Sequence, residues 1–320
     1  MKKNIALIGV GRWGQNHLKT LTSISEVKNI FVVDSNENFD SKILDSYNNV
    51  KFFRCLNTLL ENENNIDGAI IATPPQTHFN LAKQCILNDI HVLIEKPVVE
   101  TISELDDLFK LAKKKNKLIM AGHILLYHPA IQKIKKLIDR GVIGDIKFIH
   151  CQRLNFGVVR NDVDVFLSLA PHDISLVQYF LNEEKYLSIK KLESSFSLSK
   201  KNDYSSTLIE YPKKINAQID VGWFYPEKIQ CLKIIGSKKT IVFDDILKQI
   251  KVIEIQVDKD LNHINNGEEL ISFNMSELPL TSELKSFISY FDNPEKCISG
   301  YSHTKNVIDI FENYYKEKNK

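Results

Sequence analysis

Two side chains in this sequence stand where a proton could be moved and an oxygen held. Lys96 lies in Glu95-Lys96-Pro97, directly after the apolar run Ile90–Ile94. A lysine at the end of a buried strand, fixed ahead of a proline, cannot swing fully into solvent. Burial lowers its pKa, and a hydroxyl or carbonyl oxygen can take its hydrogen bond. The alternative is a surface lysine paired with Glu95. His172 lies in Leu169-Ala170-Pro171-His172-Asp173-Ile174, which reads as the start of a helix over 171–181 with Pro171 near the first position. Ile174, Val177 and Leu181 form its apolar stripe and leave His172 off it. A helix N-terminus disfavours an imidazolium by roughly 0.3–1 kcal/mol, which favours the neutral ring that a general base needs. A lone histidine is more often a capping or packing residue. It is the company of Lys96 and a nucleotide site that favours chemistry.

That nucleotide site is written in Gly9-Val10-Gly11-Arg12-Trp13-Gly14, which follows the apolar run Ile5–Ile8 and opens a helical pattern of Trp13, His17, Leu18 and Leu21. Glycines at this spacing permit the tight turn, the close approach of a pyrophosphate and the packing of helix on strand. The helix N-terminus supplies free N–H groups and partial positive charge. Asp34 ends the next apolar run, where an acid holds the adenosine ribose hydroxyls. Its charge would repel a 2′-phosphate, and Ser35-Asn36 offers no cation to receive one, so NAD is expected over NADP. The fourth strand ends in Thr73-Pro74-Pro75-Gln76-Thr77-His78, also expected beside the cofactor with Glu95 and Lys96. Arg153 and Asn155, two apart on an extended segment, share a face, and Arg160 follows. These suit a substrate diphosphate, although a solvated loop charge is the plainer reading of Arg160. His123 and His128 have the wrong spacing for a metal and no partner motif nearby, so no metal is expected. His123 and Tyr127 are expected in the substrate pocket.

The elements that must hold these residues alternate. Strands are expected at Ile5–Ile8, Ile30–Val33, Val50–Phe53, Ile66–Ala72, Ile90–Ile94 and Leu118–Ala121, with helices at 76–88 and 102–115, the latter opened by a Thr101/Glu104 capping box. Continuous apolar strands between helices predict a parallel, doubly wound sheet. Past Gly122 the pattern changes. Helices are expected at 129–139, 171–181, 281–291 and 302–316, and extended segments at 145–156, 187–199, 204–211, 214–224, 228–236, 239–244 and 249–257. Several of these alternate, which predicts a largely antiparallel sheet with one face open. Two domains follow, 1–122 and 123–320.

Bulk properties narrow the function classes. The 320 residues carry 42 Lys+Arg against 40 Asp+Glu, a net charge of +2, with no basic stripe for nucleic acid. No run of about 18 apolar residues suggests a membrane span. The basic and apolar N-terminus resembles a signal peptide, but its apolar stretch is short and runs into Gly9-Val10-Gly11-Arg12, so it reads as a strand. Five scattered cysteines without a CxxC pair predict reduced thiols in a cytoplasmic protein.

The GxGxxG turn with His17 beyond it, Thr73-Pro74-Pro75 with His78, Glu95-Lys96-Pro97 and His172-Asp173 together resemble the Gfo/Idh/MocA oxidoreductases over essentially the whole chain. The resemblance implies an N-terminal doubly wound Rossmann domain plus a C-terminal α+β domain, whose largely antiparallel open sheet mediates homodimers or homotetramers. It implies NAD(P)-dependent oxidation of sugars or cyclitols, with Lys96 the catalytic lysine and His172 the proton-transfer histidine. Many members carry an Asp four residues before that histidine, where this chain has Ser168. The stretches Arg153-Leu154-Asn155 and Leu169–Ser175 look more like the branch oxidising sugar nucleotides at C3 of a UDP-N-acetylhexosamine such as UDP-N-acetylglucosamine. Ser168 and Asp173 are then expected at the substrate. The alternatives are a dehydrogenase of a free sugar, inositol or UDP-N-acetylglucosaminuronate, and a non-catalytic NAD-sensing or scaffold protein.

Overall fold

The computed structural model describes residues 1–161, 163–197, 201–257 and 259–316. The chain forms two compact units, residues 1–127 with 277–305, and residues 128–276 with 306–320. In the first, strand and helix alternate: β1 (Lys3–Ile8), α1 (Arg12–Leu21), β2 (Val27–Val33), β3 (Val50–Phe53), α2 (Leu56–Asn62), β4 (Gly68–Ile71), α3 (His78–Leu87), β5 (His91–Glu95), α4 (Ile102–Lys115) and β6 (Ile119–Gly122). The strands pair in parallel in the order β3-β2-β1-β4-β5-β6. Ile5, Ala6, Leu7, Ile70, Ile71, Leu93 and Ile94 are fully buried, because both faces of the sheet are covered. The order reverses between β1 and β4, so a crevice opens at their carboxyl ends. Thr101 accepts the Glu104 amide at 3.2 Å and caps α4, as the capping-box spacing predicts.

The second unit holds α5 (Pro129–Asp139), β7 (Ile146–Phe156), α6 (Val165–Phe180), β8 (Ser188–Ser194), β9 (Tyr204–Tyr211), β10 (Ile215–Gly222), β11 (Phe224–Gly236), β12 (Thr240–Asp244), β13 (Gln249–Val257) and β14 (His263–Ile271). The last two residues of the segment expected over 187–199 lie outside the described residues. The sheet runs β14-β13-β12-β11-β7-β10-β9-β8, antiparallel except for the pair β7–β10. Helix α6 packs on β7, β9 and β10. Ala217, Ile219 and Val221 of β10 are buried. On the other face Asn216 and Gln218 are half-buried, while Asp220 is buried with its carboxylate bonded to His150 and Ser206.

Two differences from the expected elements matter. Helix α6 begins at Val165, not near Pro171. The Asp164 side chain accepts the Leu167 amide at 2.8 Å and caps it, and Pro171 sits inside the helix. The proline forfeits one hydrogen bond, which the buried side chains of Val165, Phe166, Ala170, Ile174 and Phe180 outweigh. His172 is therefore a mid-helix residue, and the helix-end argument for its neutral ring does not apply.

The chain also returns to its first unit. Helix α7 (Pro279–Ser289) buries Leu280, Leu284 and Phe287 there, and α8 (Tyr301–Lys316) begins in that unit and ends in the second. The imidazole of His91 stacks on Phe291 with ring centroids 4.4 Å apart, and the Ala121 amide donates to the Ser299 carbonyl at 3.1 Å. A division at 122/123 assigns residues 277–305 to the second domain, whereas these contacts fasten them to the first.

Candidate active site

The glycine turn is shaped by close approaches. Gly9 has φ +92°, a conformation that suits glycine, and a Cβ on Gly14 would lie 2.1 Å from the Gly9 carbonyl oxygen. Around Gly11 the opposite holds: no atom lies within 4 Å of the place a Cβ would take, so a ligand can approach its backbone. Gly11 is also the N-cap of α1 and has no side chain to occupy the first-turn N–H groups, which leaves them for an anion. Arg12 and Trp13 are exposed beside them. Asp34 is fixed at the end of β2: one carboxylate oxygen accepts the Val10 amide at 2.7 Å and the other the Asn36 amide at 2.8 Å. These residues fit a dinucleotide, with the pyrophosphate on Gly11 and the α1 terminus and the adenosine ribose at Asp34.

The ends of β4 and β5 are stapled together. The ring nitrogens of buried His78 lie 2.9 Å from the Thr73 carbonyl oxygen and 2.8 Å from that of Pro97, and the Thr73 and Thr77 hydroxyls meet at 2.6 Å. Thr77 also donates to the Pro74 carbonyl, which closes the turn around Pro75. His78 thus positions the two strand ends through backbone contacts. Glu95 points back at the glycine turn. Its Oε1 accepts from Trp13 Nε1 at 2.5 Å and lies 2.8 Å from His17 Nε2, while its Oε2 accepts the Lys96 amide at 3.3 Å. Lys96 is half-buried, and its peptide bond to Pro97 is cis.

His123 is buried edge-on against His303, with centroids 5.3 Å apart. Burial first, then His303 and the Lys96 ammonium, hold its pKa well below the ordinary histidine value. The buried Tyr127 hydroxyl lies 3.2 Å from Ser299 Oγ. Both residues expected in a substrate pocket therefore pack on the returning segment. His128 accepts the Ala130 amide and caps α5.

In the second unit, Arg153 of β7 grips Asp173 of α6. Its Nε and Nη2 donate to the two carboxylate oxygens at 3.1 and 3.0 Å. Burial works against the guanidinium's charge, yet Asp173 holds its pKa above the ordinary arginine value. These two expected substrate contacts are thus paired with each other. Ser168 and His172 stand one turn apart on α6. Asn155 lies against Gly157, where a Cβ would come within 2.7 Å of Asn155 Oδ1, and Arg160 is exposed in the following loop. Sequence reasoning passes over Glu283 and His303, both buried in the first unit. A signal for Glu283 exists, since it interrupts an apolar stripe of Leu280, Leu284 and Phe287.

Comparison with known proteins accords with this geometry. Residues 3–123 match the oxidoreductase family with an NAD-binding Rossmann fold, and residues 131–242 match the GFO/IDH/MocA C-terminal domain. A UDP-N-acetylglucosamine 3-dehydrogenase of Acidithiobacillus ferrooxidans is 30% identical over 171 residues, 53% of this chain and 51% of that protein. Inositol 2-dehydrogenase 1 of Saccharopolyspora erythraea is 26% identical over 188 residues, 58% of this chain and 56% of that protein. The matched stretch thus spans about half the length of these curated relatives. The solved structure of the Acidithiobacillus enzyme has a TM-score of 0.85, covering 98% of this chain and 96% of its own at 19% identity, which is a likeness of fold. The two matched models together span most of the chain, and the first covers the glycine turn and the Glu95-Lys96-Pro97 strand end; the chain belongs to the Gfo/Idh/MocA family of oxidoreductases and its first unit is an NAD-binding Rossmann domain.

Proposed function

We propose that the protein is an NAD-dependent dehydrogenase that oxidises a sugar hydroxyl to a ketone, at C3 of a UDP-N-acetylhexosamine such as UDP-N-acetylglucosamine. The observation that carries the reading is Lys96, held at the end of β5 by a carboxylate that also grips the glycine turn. A sugar-nucleotide dehydrogenase among the relatives supports the substrate class. Bound NAD supplies a hydride acceptor for the carbinol carbon. The chain's own residues handle the oxygen. His172 takes the hydroxyl proton onto its imidazole, and Lys96 Nζ donates a hydrogen bond to the same oxygen as negative charge develops there. Arg160 and Asn155 are assigned to the substrate diphosphate. With Arg153 committed to Asp173, the pair's part is to hold α6 on β7 beside His172. Ser168 occupies the position one turn before His172 and brings no carboxylate to it.

The open sheet face is the surface through which subunits would form a homodimer or homotetramer, with no nucleic-acid or membrane partner. No helix of the described residues is long and apolar enough to cross a membrane. Five free thiols fit a reducing, cytoplasmic compartment.

The test is NADH formation against a panel of UDP-N-acetylglucosamine, UDP-N-acetylglucosaminuronate, free hexoses and inositol. The reading expects the highest kcat/KM with UDP-N-acetylglucosamine and a 3-keto product. A free sugar or inositol as the best substrate would overturn the substrate assignment, and NAD binding without reduction on any polyol would favour a sensor.

A further inference from the structure

Helix α7 carries an acid inside its apolar stripe. Glu283 is fully buried, and neither carboxyl oxygen has a hydrogen-bond partner among the described residues. The charged group that acts on it is Glu95, at the end of β5. The helix packs against α1, which brings His17, and Tyr127 and Cys297 also feel Glu283. A carboxylate in such a place would be both desolvated and repelled. Burial first and Glu95 second push its pKa well above the usual carboxylate range. In the neutral form favoured by that shift, the group has one O–H to donate. His17 shows the same shortage: Nε2 meets Glu95, while its buried Nδ1 has no partner among the described residues. Buried polar groups this poor in protein partners are the kind that enclosed waters satisfy.

We propose that Glu283 is a positioning residue: as a neutral acid it donates a hydrogen bond, through an enclosed water, to Glu95, and so holds the carboxylate that ties Trp13 and His17 of the cofactor turn to the amide of Lys96. Glu95 then keeps its contacts to Trp13, His17 and the Lys96 amide while the second acid adds a fourth partner. Ionised, Glu283 would push Glu95 away from that arrangement. The inference needs NAD binding alone and is independent of which substrate is oxidised.

The experiment compares wild type with Glu283→Gln and Glu283→Leu. Glutamine keeps a neutral donor of the same length, and leucine removes it. Calorimetric titration with NAD is expected to give Glu283→Gln a Kd within about twofold of wild type and Glu283→Leu a Kd about tenfold weaker, the equivalent of one hydrogen bond. Infrared difference spectra at neutral pH are expected to show a protonated-carboxyl C=O band in wild type that Glu283→Gln lacks. The proposal falls if that band is missing from wild type, if leucine binds NAD as tightly as glutamic acid, or if glutamine binds as weakly as leucine. Should the leucine variant fail to fold, the infrared band and the glutamine titration still decide it. Failure of the sugar assignment would leave all these readouts unchanged.

Discussion

Removing the carboxylate of Asp173 separates two roles that the sequence alone leaves merged. The Arg153–Asp173 pair makes two charge-assisted bonds at 3.0 and 3.1 Å, with side-chain exposures of 18% and 4%. In Asp173→Ala the guanidinium would stay largely buried without its acceptor. Breaking a buried pair from one side costs about 3–5 kcal/mol, and the partly wet arginine puts this case near the lower end. At about 2–4 °C per kcal/mol for a unit of this size, roughly 3 kcal/mol lowers the melting temperature by roughly 6–12 °C. The assay is differential scanning calorimetry of Asp173→Ala, Arg153→Met and the Arg153→Met/Asp173→Leu double variant. The double variant should recover most of the loss, because no unpaired charge is left behind. A single variant within about 2 °C of wild type would refute the reasoning. Unchanged melting with lost turnover would return Asp173 to the substrate, the role its sequence context suggests.

Four further outcomes follow from the first unit. Gly14→Ala should weaken NAD binding at least about tenfold and lower stability, because its methyl would collide with the Gly9 carbonyl 2.1 Å away. Gly11→Ala, with open space around it, should cost under about 0.5 kcal/mol of stability yet still weaken NAD, so calorimetry and melting curves will split the two. Asp34→Ala should narrow the preference for NAD over NADP, measured as the ratio of their Kd values, since the carboxylate that repels a 2′-phosphate is gone. Burial, reinforced by Lys117 and Lys3, brings the pKa of His91 from 6.5 down to about 4 in the folded protein. Between those values the unfolded chain binds a proton that the native state does not, so this contribution to stability is complete above pH 6.5 and is lost as pH falls, by about 2 kcal/mol at pH 5. Urea denaturation at pH 7 and pH 5 should show this loss shrink in His91→Gln.

What is legible in the sequence is what local pattern controls. The parallel strands of the first unit are short apolar runs between helices, and the glycine turn announces itself by residue type and spacing. The start of α6 is obscured because Pro171 reads as a first-turn residue, while the true cap, Asp164, competes with an apolar run that begins immediately after it. Strand β14 escapes a reading by pattern because its residues from His263 to Leu270 are exposed and show no alternation. The return of α7 to the first unit depends on contacts such as Phe291 against His91, some 200 residues apart, which no local signal reports. The same holds at the site: Arg153 and Asp173 are each legible as functional side chains, but their bond to one another is a product of the fold.

We propose that Lys96 and His172 act on one alcohol oxygen, and steady-state kinetics of Lys96→Ala, His172→Ala and the double variant with NAD and UDP-N-acetylglucosamine test this proposal most directly. Each single substitution should lower kcat by roughly 10²–10⁴ while NAD still binds, and the double variant should lose far less than the product of the two. Near wild-type turnover in either single variant would contradict the account.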